Sequence, residues 1–138
     1  MNLLVEGSFP RHGEALARVF DLAETFLAQV ELPASLRYLV AFGLEELFTN
    51  TVKYNAAGAG EIGIQLRLEE GELRITVIDP DAERFDPGTD APQVAPGRPL
   101  DERRPGGLGI HLMKKLADRM EYDYSGRVAT VHLYKKLE

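Results

Sequence analysis

Near residue 60 the hydrophobic pattern of this chain switches from helical spacing to strict alternation, and that switch limits what it can fold into. From residue 14 to residue 30, Leu16, Val19, Phe20, Ala23, Phe26, Leu27 and Val30 recur at helical spacing. Pro33 then sits where a helix tolerates proline best, in its first turn, and a second helix is predicted to about Tyr54. The flexible run Asn55-Ala-Ala-Gly-Ala-Gly60 closes it. Beyond it Ile62, Ile64, Leu66 and Leu68 alternate with Gly63, Gln65 and Arg67, which predicts a strand. Glu69-Glu70-Gly71 reads as a hairpin turn, and Leu73, Ile75 and Val77 mark a second strand ending at Asp79.

The flanks repeat both periods. Residues 3–9 predict a first strand, which Pro10 ends. Ile110, Met113, Leu116, Ala117 and Met120 predict a third helix, followed by strands near residues 121–124 and 128–134 that turn at Ser125-Gly126. Strands joined by tight turns imply an α+β two-layer sandwich: a mainly antiparallel mixed sheet with helices on one face. Residues 1–138 are expected to form a single domain. Residues 80–106 differ in kind, holding six of the chain's eight prolines and few apolar residues. A loop of that length in a compact domain is usually functional or disordered.

Composition excludes several classes of function. A formal net charge of −6 opposes general affinity for nucleic acid or an anionic membrane. With no cysteine there is no disulfide, thiolate nucleophile or Cys-ligated zinc. His12, His111 and His132 lack ligand spacing and read as surface or packing residues. The N-terminus has neither a basic start nor an apolar signal core, and no apolar run approaches a membrane span, so a cytoplasmic protein is expected.

Three features can carry chemistry. On a helix turning ~100° per residue, with Glu46 at zero, Asn50 falls near ~40° and Lys53 near about −20°. All three thus share a stripe beside the core-facing Val40, Leu44, Leu47 and Thr51, while Glu45 turns toward solvent. A side-chain amide oxygen suits Mg²⁺, a carboxylate can accept a proton, and an ammonium offsets phosphate charge. The same residues also suit an ordinary exposed helix face. Asp79 follows the inward phase of its strand, where a carboxylate needs a partner; an adenine amino group is one, and a turn before Pro80 is the alternative. Gly106-Gly107-Leu108-Gly109 precedes the third helix and can bring backbone N–H groups close to an anion. It is not the Gly-Lys-Ser/Thr phosphate loop, and a plain loop–helix junction would look the same.

In order and spacing these segments resemble the GHKL superfamily of ATPases and kinases. Glu46-Leu-Phe-Thr-Asn50-Thr-Val-Lys53-Tyr54 is similar to its N-box, and Gly106-Gly-Leu-Gly109-Ile-His-Leu-Met to its second glycine box. Across nearly the whole chain the pattern looks most like the small anti-sigma-factor serine kinases of RsbW/SpoIIAB type. The resemblance implies the Bergerat ATP-binding fold and Mg²⁺ and ATP as cofactors. It implies Glu46 as the catalytic base, Asn50 as the metal ligand, Lys53 near phosphate, Asp79 on adenine, and residues 80–106 as the ATP lid. It further implies phosphorylation of a serine on an anti-anti-sigma (STAS-type) partner, sequestration of a sigma factor, and a homodimer. The first glycine box, usually Asp-x-Gly-x-Gly, departs from the family: Asp79 is followed by Pro80-Asp81-Ala82-Glu83. That departure keeps a second expectation open, a non-catalytic switch acting by partner exchange.

Overall fold

The computed structural model describes residues 2–84 and 107–137. Five strands and three α-helices follow in the order β1 (Leu3–Phe9), α1 (Leu16–Leu27), α2 (Ala34–Tyr54), β2 (Ile62–Glu69), β3 (Glu72–Asp79), α3 (Gly107–Leu116), β4 (Arg119–Ser125) and β5 (Val128–Lys136). A single 3₁₀ turn, Gly13–Ala15, leads into α1. The strands form one sheet in the order β1-β2-β3-β5-β4. Every described pairing is antiparallel.

Two tight turns fix the register. Glu70 and Gly71 have φ of 51° and 75°, and Gly126 and Arg127 have φ of 57° and 68°. Two successive positive φ values match the twist of a two-residue hairpin. Leu68 therefore faces Leu73 across the first hairpin and Ser125 faces Val128 across the second. Alternation then sends Ile62, Ile64, Leu66, Leu73, Ile75 and Leu133 to one side of the sheet, each at most 1% exposed.

The helices cover that side. Val19 and Phe26 of α1, Val40, Leu44 and Phe48 of α2, and Met113 of α3 are fully buried against the strands. Helix α2 is the central one, touching α1, α3 and the middle of the sheet. Its approach is close at Gly43, where a Cβ would stand 3.2 Å from Leu133 Cδ2. Pro33 starts α2 from just outside, its carbonyl accepting the N–H groups of Leu36 and Arg37 at 3.0 Å each. Among the described residues no helix is long and apolar enough to cross a membrane.

Three boundaries differ from the sequence expectation: α1 runs over Leu16–Leu27 and not to Val30, the second hairpin turns at Gly126-Arg127 and not at Ser125-Gly126, and the third helix stops early. The third helix ends at Leu116, and Met120, read as its last apolar position, lies in β4 opposite Leu133. Asp118 makes the break: its N–H donates to Tyr134 O at 2.8 Å, and its carboxylate accepts Lys136 N–H at 2.6 Å. Met120 points inward in either geometry, so the apolar spacing alone does not separate them. The expectation of a lid over residues 80–106 falls, beyond Arg84, outside the described residues.

Candidate functional site

Asn50 enters the interior because α2 is buried around much of its middle, and its side chain is carried in with Leu47 and Phe48. The residue is 8% exposed. Its Nδ2 is buried and has no hydrogen-bond partner. Asp79 arrives from the other side, at the end of the inward phase of β3 and opposite Ala129 of β5. Its Oδ1 accepts Arg11 Nη2 at 2.8 Å and the Asp81 N–H at 2.9 Å. Its Oδ2 is buried and has no partner.

Both side chains line one cavity of about 40 Å³, with Leu47, Val77 and Val131 as apolar wall and Tyr122 at its side. An unpaired buried acceptor and an unpaired buried donor on one cavity are costly unless a ligand or water meets them. At about 40 Å³ the cavity has room for water and must widen to take a larger ligand; its make-up, an apolar wall with a few convergent polar groups, is otherwise that of a small-molecule site.

Glu46, one turn before Asn50 on α2, is half-buried. Burial, and then the neighbouring Glu45 carboxylate, push its pKa upward. Glu45 is itself half-buried and not fully turned to solvent as its helical angle suggested. The Glu46 carboxylate rests on the first turn of α3: a Cβ added at Gly109 would overlap it. Gly109 is therefore bare because a carboxylate occupies the space beside it. The start of a helix favours a negative group.

The remaining expected residues are placed as follows. Gly107 and Leu108 begin α3, while Gly106 lies outside the described residues. Lys53 is exposed, its Nζ 5.4 Å from the Tyr54 ring centroid, and it does not line the cavity. The structure thus gathers Asn50 with Asp79, and Glu46 with Gly109.

Sequence reasoning missed the residues that hold the turn after Asp79. Asp81 accepts the Ala59 N–H at 2.7 Å and Arg127 Nε at 2.6 Å. The Ala59 N–H and then the Arg127 guanidinium hold its pKa below the usual carboxylate value. Ala82 N–H donates to Arg127 O at 2.8 Å, and Tyr124 Oη donates to Ala82 O at 2.9 Å. Glu83 N–H donates to Asn55 Oδ1 at 3.2 Å. Side chains fasten this turn where the resembled family has glycines. The sequence signal was the Asp79-Pro80 turn offered as the alternative reading: Asp79 Oδ1 accepts the N–H two residues on, at Asp81.

The profile of the histidine kinase-like ATPase domain matches residues 9–135. The chain belongs to that family. A serine-protein kinase RsbW of Listeria innocua is 31% identical over 93 residues, 64% of this chain. The chain spans 59% of that relative's length. Two solved structures share the fold. The RsbU and RsbW domains of Rv1364c from Mycobacterium tuberculosis superpose with a TM-score of 0.68 at 16% identity, covering 98% of this chain and 32% of that one. The SiaB–SiaC complex from Pseudomonas aeruginosa gives 0.64 at 14% identity, covering 95% and 87%. At those identities the likeness is one of architecture. The cavity between α2 and the end of β3 belongs to a chain of an ATPase-domain family, and its orphaned Asp79 Oδ2 is an acceptor open to a ligand donor.

Proposed function

We propose that this ATPase-family domain is an anti-sigma factor regulatory protein that uses Mg-ATP to phosphorylate a serine of an anti-anti-sigma partner. The observation that carries the reading is the pair of unpartnered buried atoms, Asp79 Oδ2 and Asn50 Nδ2, on one cavity. The similarity to a serine-protein kinase RsbW supports the choice of substrate class.

In this reading Asp79 Oδ2 accepts a hydrogen bond from the adenine amino group, and Leu47, Val77 and Val131 receive the flat apolar base. Asn50 stands one helical turn from Glu46 and holds the metal; a half-turn of its amide presents oxygen to Mg²⁺. Among the described residues no three His, Asp or Glu side chains converge as a metal site. Phosphate and water oxygens would complete the shell, as is usual for Mg²⁺. When bound, Mg-ATP supplies the phosphoryl group and the charge neutralisation that transfer requires. Glu46 accepts the proton of the attacking serine hydroxyl, a task for which an upward-shifted pKa is suited. Gly107, Leu108 and Gly109 offer the helix-start N–H groups to phosphate oxygens. Lys53 and Gly106 complete the proposed contacts. The proposed partners are a sigma factor and a STAS-type antagonist, with a homodimer in the cytoplasm as the working form.

The test is to incubate the purified protein with Mg-ATP and candidate STAS-type proteins encoded nearby, and to measure phosphoserine. Phosphoserine that depends on Glu46 supports the reading. Tight Mg-ATP binding with partner exchange and no phosphoserine supports the second reading, a non-catalytic switch. That alternative is favoured by the turn after Asp79, where Glu83 lines the cavity in place of a glycine box.

A further inference from the structure

Arg11 lies in the turn that follows β1, far in sequence from every residue of the cavity, yet it is 7% exposed. Its guanidinium joins three separate segments. Nη1 donates to Asn55 O at 3.2 Å, just past the end of α2. Nη2 donates to Ala59 O at 3.0 Å and to Asp79 Oδ1 at 2.8 Å. The Arg11 and Asp79 side chains are each 5% exposed. Gly58 makes room for the crossing: a Cβ there would stand 2.9 Å from Arg11 Cζ and 2.5 Å from Asp81 O.

A buried carboxylate without a cation is strongly disfavoured, and removing one partner of such a pair leaves an uncompensated charge. Arg11 supplies the cation, and its planar fork fixes which oxygen is used. With Oδ1 held by Arg11 and by the Asp81 N–H, Oδ2 is the oxygen left over, and it is the unpaired one. The guanidinium contacts Asp79 through Oδ1 alone and so leaves Oδ2 open toward the cavity.

We propose that Arg11 is a positioning residue of the nucleobase pocket: it holds Asp79 Oδ1 and keeps Oδ2 aimed into the cavity, and so sets the preference for a base bearing an exocyclic amino group over one bearing a carbonyl. The inference rests on the cavity being the nucleotide site, as read above. A purine with a carbonyl at C6 presents an acceptor where the amino donor stood, so Oδ2 loses that hydrogen bond unless the ring shifts to offer its N1–H instead. Without Arg11 the carboxyl is free to turn about its Cβ–Cγ bond, and Oδ2 is no longer held toward the base.

The experiment is isothermal titration of the purified full chain with ADP and with IDP in Mg²⁺, for the parent, Arg11→Gln and Arg11→Lys. The parent is expected to favour ADP by about 10- to 100-fold, the range for a lost hydrogen bond to a charged group. In Arg11→Gln that ratio collapses toward unity, through lost ADP affinity, because Oδ2 is no longer aimed at the amino group. Arg11→Lys keeps the charge but cannot span two carbonyls and Asp79 together, so its ratio is intermediate. A merely structural strut would weaken both nucleotides alike and leave the ratio unchanged. An unchanged ratio in a folded Arg11→Gln overturns the proposal; if that variant does not fold, an unchanged ratio in Arg11→Lys does so. A parent that binds ADP and IDP equally overturns the inference while leaving the nucleotide site standing. A parent that binds neither overturns the nucleotide reading, and the inference with it.

Discussion

Glu46 and Glu45 are adjacent carboxylates on α2, and the charge of one bears on the proton of the other. Burial first, and Glu45 second, raise the Glu46 pKa. Replacing Glu46 by Gln is expected to leave nucleotide binding intact and to reduce partner phosphorylation by about 10²–10⁴-fold, the usual contribution of a positioned base. Rapid-quench phosphorylation and titration calorimetry measure the two separately. Glu45→Gln keeps the base and removes one of the influences that raise its pKa, so the acidic limb of the pH–rate profile moves to lower pH. A limb that does not move would exclude Glu46 as the group that titrates. There is also a stability consequence. An acid whose folded pKa lies above its unfolded value binds protons more tightly when folded, so stability is lost as pH rises through that range. Glu46→Gln is therefore expected to have a higher Tm than the parent at pH 7, read by calorimetry, at the expense of activity.

At the scale of the element, the contact between α2 and the start of α3 depends on a missing side chain. Ala at position 109 gains helix propensity of about 1 kcal/mol over Gly. Its Cβ also takes the space of the Glu46 carboxylate, the mobile end of a side chain that can swing aside. Gly109→Ala is thus expected to fold with a Tm close to the parent's and yet to lose phosphorylation to the level of Glu46→Gln. If activity persists, the carboxylate works from elsewhere. The turn after β3 offers a complementary test. Asp81 joins Ala59 to Arg127, and its pKa is lowered by those bonds. Its stabilisation is present above the unfolded carboxylate pKa and is lost as pH falls through the lower folded value. Asp81→Ala should free the turn, read as faster amide hydrogen exchange at Asp81, Ala82 and Glu83, while the β2–β3 hairpin stays protected.

Taken as a whole molecule, the sheet presents its helix-free face to solvent, and His132 sits there with Nδ1 2.8 Å from Thr76 Oγ1. Burial and then Arg74 lower its pKa, against the opposing pull of Glu121 and Asp123. A histidine whose folded pKa is depressed takes up its proton more readily when unfolded. Stability is accordingly full above about 6.5, the unfolded value, and declines as pH falls below it. Urea midpoints at successive pH values should show that decline, and His132→Gln should flatten it. Ligand binding acts on the same global equilibrium. Mg-ATP at a hundred times its Kd should stabilise the native state by about 2.7 kcal/mol and raise Tm on the order of 5–10 °C. No shift at millimolar nucleotide would remove the nucleotide site from this cavity.

Much of this was legible in the chain because it is local. Alternation at residues 62–68 and 73–79 depends only on which side chains face one way, and Gly71 and Gly126 mark the hairpins without help from afar, although the second turn falls at Gly126-Arg127, one residue later than Ser125-Gly126. Asp79 could be singled out as a polar residue in an apolar phase, where burial demands a partner, and Asn50 as one of a polar stripe with Glu46 and Lys53; that Asn50 is itself buried came only from the fold. The end of α3 was not legible, since Met120 satisfies helical and strand spacing alike and only the bonds of Asp118 to β5 decide between them. Nor was the partner of Asp79. Arg11 lies 68 residues away, and no periodicity relates the two. The overlap of Glu46 with the space beside Gly109 is of the same kind, set by how two helices pack on one sheet. The sequence by itself determined the elements and the polar residues carried inside them. The tertiary structure alone decided which charges those residues meet, because burial and ion pairing arise between segments that share no local pattern.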